Sequence, residues 1–182
     1  MNATRFAIVF IVGFSIFGGA LMYYQLEYAG YVELTPAEVG EIQLINIISG
    51  NPEAILSENV EAIDSLVDGV RLSSSVSYRA CFETPRNQTM LAETYVIMDD
   101  AVPWTAPSWF DCFDAREVGK ALEDGDAIAF ISQENINFGI DRVVAILPDG
   151  RGFVWHQPNP CGEAVFSGDP TPDGCPDLPE DF

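Results

Sequence analysis

From Phe6 to Tyr24 the chain carries no charge and is almost wholly apolar. At about 1.5 Å of helical rise per residue, this run reaches roughly 28 Å, close to the hydrocarbon thickness of a bilayer. A cleaved export signal has a shorter apolar stretch and a small-residue cleavage site. Here bulky Leu21, Met22, Tyr23 and Tyr24 follow Gly19 and Ala20. The reading is therefore an uncleaved membrane anchor over 6–24, with Tyr23, Tyr24 and Tyr28 at headgroup level. Arg5 is the only basic side chain ahead of the run, and all 28 Asp and Glu follow it. The positive-inside rule then puts residues 1–5 in the cytoplasm and the remainder outside. Ser15 and Gly19, four apart, share a helical face where a second membrane helix can approach closely.

Residues beyond the anchor are numerous enough for one domain with a real core. The whole chain has 8 Lys and Arg against 28 Asp and Glu, a net charge of −20. Such a surface does not grip nucleic-acid phosphates and is repelled by anionic headgroups. It favours a basic partner or simply keeps the protein soluble.

Cys81, Cys112, Cys161 and Cys175 form an even set in an exported domain, so two disulfides are expected. Four cysteines allow three connectivities. Sequence separation favours Cys81–Cys112 and Cys161–Cys175.

Residues 25–40 read as a juxtamembrane connector and 41–157 as the folded domain. Glu41–Ile48 has strand character, and Ser49-Gly50-Asn51-Pro52 is a turn. Leu56, Val60, Ile63, Leu66 and Val67 fall at helical spacing behind a good start signal, with a short strand at Ala54–Leu56 as the rival. Ser73–Ser75 reads as loop. Val76, Tyr78, Ala80 and Phe82 alternate with Ser77, Arg79 and Cys81, the mark of a half-buried strand. Cys81 lies on its second face, so a bridge to Cys112 ties the Trp109–Phe113 segment over that face. Asp114 to Asp124 is the main helix, with Asp114 and Glu117 spaced as a capping box and Gly125 as its stop. Ala127–Ser132 and Ile140–Leu147 are apolar on both faces and expected to be central strands. Gly152–His156 pairs with the latter through Pro148-Asp149-Gly150. From Pro158 on, a Pro-rich tail, residues 158–182, reads as a disulfide-pinned loop region.

Catalytic residues are scarce. His156 is the only histidine and Lys120 the only lysine. Phosphate-binding, dinucleotide, zinc-protease and nucleophile-elbow motifs are absent from the sequence. No cofactor or metal set emerges: Asp169, Asp173 and Asp177 do not follow the EF-hand spacing. The one local polar constellation is His156, Cys161 and Glu163, at the end of a strand. It fits a polar site, in which His156, Glu163 and a free Cys161 ligate a metal or His156 and a cysteine pair as base and nucleophile, or a structural histidine beside a cysteine locked in a disulfide. Trp104, Trp109 and Phe110, in a Pro-punctuated loop, are candidate docking residues or core filling.

Tyr78-Arg79-Ala80-Cys81-Phe82, Thr105-Ala106-Pro107-Ser108-Trp109-Phe110-Asp111-Cys112-Phe113, Gln133-Glu134-Asn135, Gly150-Arg151-Gly152 and Trp155-His156-Gln157 occur here together with a short N-terminal anchor. The set resembles a family of uncharacterised single-pass, periplasm-facing membrane proteins of Rhodobacter-like alphaproteobacteria. The resemblance implies an inner-membrane protein with a periplasmic domain, and brings no catalytic residues with it.

The combined expectation is an α+β protein: a transmembrane helix, a small antiparallel-sheet domain with one main helix, and a Pro-rich tail. The expected role is non-enzymatic, an accessory or assembly subunit docking on a larger inner-membrane complex such as a respiratory one. The alternatives are a small periplasmic hydrolase using carboxylates or His156, and a ligand- or metal-binding module.

Overall fold

The computed structural model describes residues 3–67, 70–71 and 76–179. It divides into two compact units, residues 1–31 and 32–182. In the first, α1 (Ala3–Tyr24) runs into a single π-helical turn, Gln25–Ala29. The stretch Arg5–Ala29 is long and apolar enough to cross a membrane. Its side chains from Arg5 to Leu26 are exposed on every face. The Ser15 hydroxyl donates to the Ile11 carbonyl at 2.9 Å, which satisfies it within the helix. Nothing lies within 4 Å of where a side chain would begin at Gly19.

The second unit is built on β1 (Tyr31–Leu34), β4 (Glu58–Val67), β6 (Arg79–Glu83), β9 (Arg151–Pro158), β8 (Ile140–Ile146) and β7 (Ile128–Asn137), paired in that spatial order. A two-residue strand β5 (Val70–Arg71) pairs with β4, and β2 (Gln43–Ile45) with β3 (Pro52–Ala54) forms a separate hairpin. The pairings β4–β6, β6–β9, β9–β8 and β8–β7 are all antiparallel. The fold is α+β.

Both faces of the sheet are covered. On one, Ala62, Ala80, Val154, Val144 and Phe130 pack under Ile42, Leu44, Ile55 and Leu91. Leu91 lies in α3 (Gln88–Ala92), which Asn87 caps. On the other, Phe113 meets Phe153 and Trp155 edge-on, at 5.8 and 6.4 Å between ring centres. The main helix, α4 (Ala115–Glu123), buries Val118 and follows that segment. The Cys81–Cys112 disulfide joins this layer to β6, and Cys161–Cys175 closes the second bridge.

Several local expectations change. Of the residues at helical spacing, Val60, Ile63, Leu66 and Val67 lie in β4, and Leu56 precedes it. Asn59 takes a left-handed conformation, φ 51°, and the register shifts between Glu58 and Glu61. This bulge inserts a residue, which disrupts the period-two pattern that would have marked a strand. The strand expected over Glu41–Ile48 is confined to β2, and the connector contributes β1 and α2 (Pro36–Val39), closed by a Thr35–Glu38 capping box. β8 is internal to the sheet, whereas β7 ends the path; its outer edge is met by the bridge Ile97–Phe130 and the hydrogen bond Met98 N to Ala129 O. Asp114 caps α4, but Glu117 accepts from Arg151 at 2.8 Å. The tail begins with a helix, α5 (Pro160–Ser167), because Asn159 accepts from Cys161 N and Gly162 N and Pro160 occupies the first turn. The Ser73–Ser75 loop lies outside the described residues.

Candidate functional site

Strand register decides which polar side chains meet. Ile63 pairs with Arg79, and Arg79 with Trp155. One step along, on the opposite face, stand Asp64, Tyr78 and His156, and His156 pairs in turn with Arg142 on β8. These four side chains form a transverse row over β4, β6, β9 and β8. The neighbouring row, Ala62, Ala80, Val154, Val144 and Phe130, is wholly apolar, so the polar row marks the end of that core.

Asp64, Tyr78 and His156 are buried, at 1, 3 and 0 % exposure. The Tyr78 and His156 rings stack at 4.7 Å, 17° from parallel. Arg142 lies over the Tyr78 ring at 4.7 Å and donates from Nε to His156 Nε2 at 2.9 Å. A guanidinium only donates, so Nε2 must present its lone pair and a neutral His156 carries its proton on Nδ1. Nε2 is therefore occupied by the Arg142 donor and not available as a base. Burial pushes the Tyr78 phenol above its ordinary value; Arg142 opposes this and Asp64 adds to it. Burial also pulls the Arg142 guanidinium down, while Tyr78 and Asp64 favour its charge. At neutral pH the arginine remains protonated.

The site expected around His156, Cys161 and Glu163 is not assembled in that form. Cys161 is in a disulfide and Glu163 is exposed on α5. His156 contacts residues that are distant in sequence. The start of α5 is instead fixed by a structural network: Asp141 accepts from Asn135 N and Asn159 Nδ2, both at 2.8 Å. Gly139, at φ +72°, packs so closely on Gly162 that a side-chain carbon there would stand 2.3 Å from the Gly162 Cα.

The aromatic loop separates its members. Phe110 is buried, Trp109 half-buried and Trp104 exposed. Trp109 and Phe110, with Asp111 and Cys112, line a groove of about 310 Å³ whose other wall includes Glu33 and Glu61. A second groove, about 340 Å³, shares Glu61, Asp111 and Cys112 and adds Glu83, Glu117 and Arg151. Arg151 is held by Glu117 and Asp149, each at 2.8 Å. The result is an acid-lined channel beside the Cys81–Cys112 bridge. Among the described residues no three His, Cys, Asp or Glu side chains group as a metal site.

Asp64, Tyr78 and Arg142 escaped sequence reasoning as a group. The one available signal was the charged pair Asp141-Arg142 inside a strand otherwise apolar on both faces. No curated protein and no solved structure matches the chain. A family model does match over residues 42–176, which takes in the polar row, both disulfides and all of the acid-lined channel except its Glu33 and Leu34 wall: the chain belongs to DUF6446, a family of unknown function.

Proposed function

We propose that the protein is a non-enzymatic accessory or assembly subunit, anchored by α1 in a bacterial inner membrane with its domain in the periplasm. It docks a basic segment of a larger membrane complex. The observation that carries this reading is the acid-lined channel, where Glu33, Glu61 and Asp111 surround Trp109 and Phe110 beside a disulfide. A half-buried tryptophan in a carboxylate-rimmed groove suits Lys or Arg, which gain both charge pairing and contact with the ring face. The two disulfides support an oxidising compartment. The exposed apolar helix supports an anchor, and its Ser15–Gly19 face supports helix packing within the membrane. Engagement of His156 Nε2 by Arg142 argues against a hydrolase built on that nitrogen.

The test is native extraction in mild detergent, with the co-migrating complex identified and its mass measured. Glu61→Lys with Asp111→Lys should release the protein from that complex while both disulfides and the circular dichroism spectrum are retained. Gly19→Leu should weaken the association through the membrane helix. A wild-type protein that extracts only as a monomer defeats the proposal.

A further inference from the structure

We infer that Arg142 and Tyr78 form a receptor for one small oxyanion, a carboxylate or a phosphate group, with His156 as the residue that positions the arginine.

Arg142 is held at its Nε and across the plane of its guanidinium. Its Nε is spent on His156 Nε2 at 2.9 Å, and its plane lies over the Tyr78 ring at 4.7 Å. Among the described residues neither terminal nitrogen of Arg142 makes a hydrogen bond, and neither does the Tyr78 hydroxyl. Among the described residues, the fully buried side-chain oxygen or nitrogen without a partner is Gln88 Oε1. Arg142 is partly exposed, so its fork can be reached from solvent, whereas Tyr78 is 3 % exposed.

An arginine that serves only to hold a fold is normally satisfied by carbonyls or carboxylates. Arg142 is oriented instead by a neutral acceptor and by an aromatic face. Neither takes up the terminal nitrogens, and the Asp64 carboxylate in the same row supports the charge without a hydrogen bond to the fork. The two remaining N–H₂ groups form a planar fork, the shape that takes carboxylate or phosphate oxygens in pairs. The Tyr78 hydroxyl adds a neutral donor on the ring that the arginine covers. Rotation of the guanidinium is restricted by the Nε hydrogen bond and by the ring beneath its plane, so less entropy remains to be lost on binding.

Asp64 is the counterweight. Its carboxylate is buried in the same row and accepts from Ser65 N at 2.7 Å. Together with the net charge of −20 it repels a second anionic group. Screening limits the long-range part of that repulsion to about 8–10 Å at physiological salt. The site therefore selects a ligand with a single compact oxyanion over a polyanion.

The experiment uses the full chain in a non-ionic detergent. Inorganic phosphate or acetate is titrated against sodium chloride at constant ionic strength. The readouts are the unfolding midpoint and the ¹⁵N shift of the His156 ring. Saturable stabilisation beyond chloride, with a matching His156 shift, is expected. Saturation by phosphate alone assigns a phosphoryl ligand, by acetate alone a carboxylate, and by both the shared oxyanion chemistry. Tyr78→Phe keeps the ring and should weaken binding about fivefold, the worth of one neutral hydrogen bond. Arg142→Lys keeps the charge but not the fork and should weaken it about tenfold or more. Arg142→Gln should abolish it. A wild-type response no larger than that to chloride overturns the inference, as does an unchanged curve in Arg142→Gln. If that variant fails to fold, an unchanged curve in Tyr78→Phe overturns it equally.

Discussion

Arg79 and Arg142 lie on opposite faces of the same sheet, each over an aromatic ring, and are held in different ways. Arg79 is 3 % exposed and sits 5.8 Å from the Phe113 ring centre. Its Nε donates to Trp104 O, one terminal nitrogen to Val76 O and Tyr78 O, and the other to Thr105 O, at 2.6–3.2 Å. Every nitrogen is engaged, by carbonyls of the adjacent 76–78 backbone and of the distant 104–105 loop. Arg79 therefore binds the 104–105 loop to the strand. Arg142 spends one nitrogen on His156 and leaves its fork unengaged. The contrast separates an arginine that builds the fold from one presented by it: the distinction lies in which donors are consumed, not in burial or ring contact.

Arg79→Met tests the first half and should have the largest effect. It removes the charge and leaves a set of buried carbonyls without donors. A loss of roughly 3–5 kcal/mol is expected, read by chemical denaturation of the full chain in detergent. A loss below about 1 kcal/mol would show that those carbonyls find other donors, and the comparison would collapse.

The Cys81–Cys112 bridge comes next, because it pins the layer that contains the Arg79 carbonyls. Replacing both cysteines with Ala should cost about 3–4 kcal/mol on the chain-entropy account. It closes a separation of 31 residues against 14 for Cys161–Cys175. The second bridge should therefore cost about 0.7 kcal/mol less to remove. Equal or reversed costs would place the stabilisation in the tail.

Arg142→Met should destabilise by only about 1 kcal/mol, since one hydrogen bond and one ring contact are lost from a partly exposed group. A loss as large as that for Arg79→Met would make Arg142 a fold-building residue.

The smallest effect is in the pH dependence. Tyr78 is held above the ordinary tyrosine value of about 10, chiefly by burial. The folded state thus binds the phenolic proton more tightly than the unfolded state does. The stability linked to that proton is complete below the ordinary value and is lost as pH rises through the raised one. Denaturation curves between pH 9 and pH 11 should fall more steeply for wild type than for Tyr78→Phe; parallel curves would mean that the phenol is not buried in solution.

How much was legible follows from where the signals reside. Alternation at Tyr78–Phe82 disclosed β6 and placed Cys81 on the second face. Asp114 and Gly125 bracketed α4, and short separations paired the cysteines. These are signals between neighbours along the chain. The β4 bulge at Asn59 hid a strand behind helical spacing, because one inserted residue shifts the phase of the pattern. In the tail, proline content masked a cap and first-turn signal at Asn159-Pro160 that was present in the sequence.

For the candidate sites the division is sharper. The apolar run, the acidic balance and the even cysteine count determined by themselves that residues 6–24 form a helix able to span a membrane, and that the domain is acidic and disulfide-bridged. Only the tertiary structure decided that His156 meets Tyr78 and Arg142 while Glu163 stays exposed, and that Trp109 lines an acid-lined channel. The reason is register. A strand's own periodicity tells which face a residue occupies, but its neighbours on that face are chosen by pairings between strands 14 to 76 positions away along the chain, as with Arg142–His156 and Arg79–Trp155.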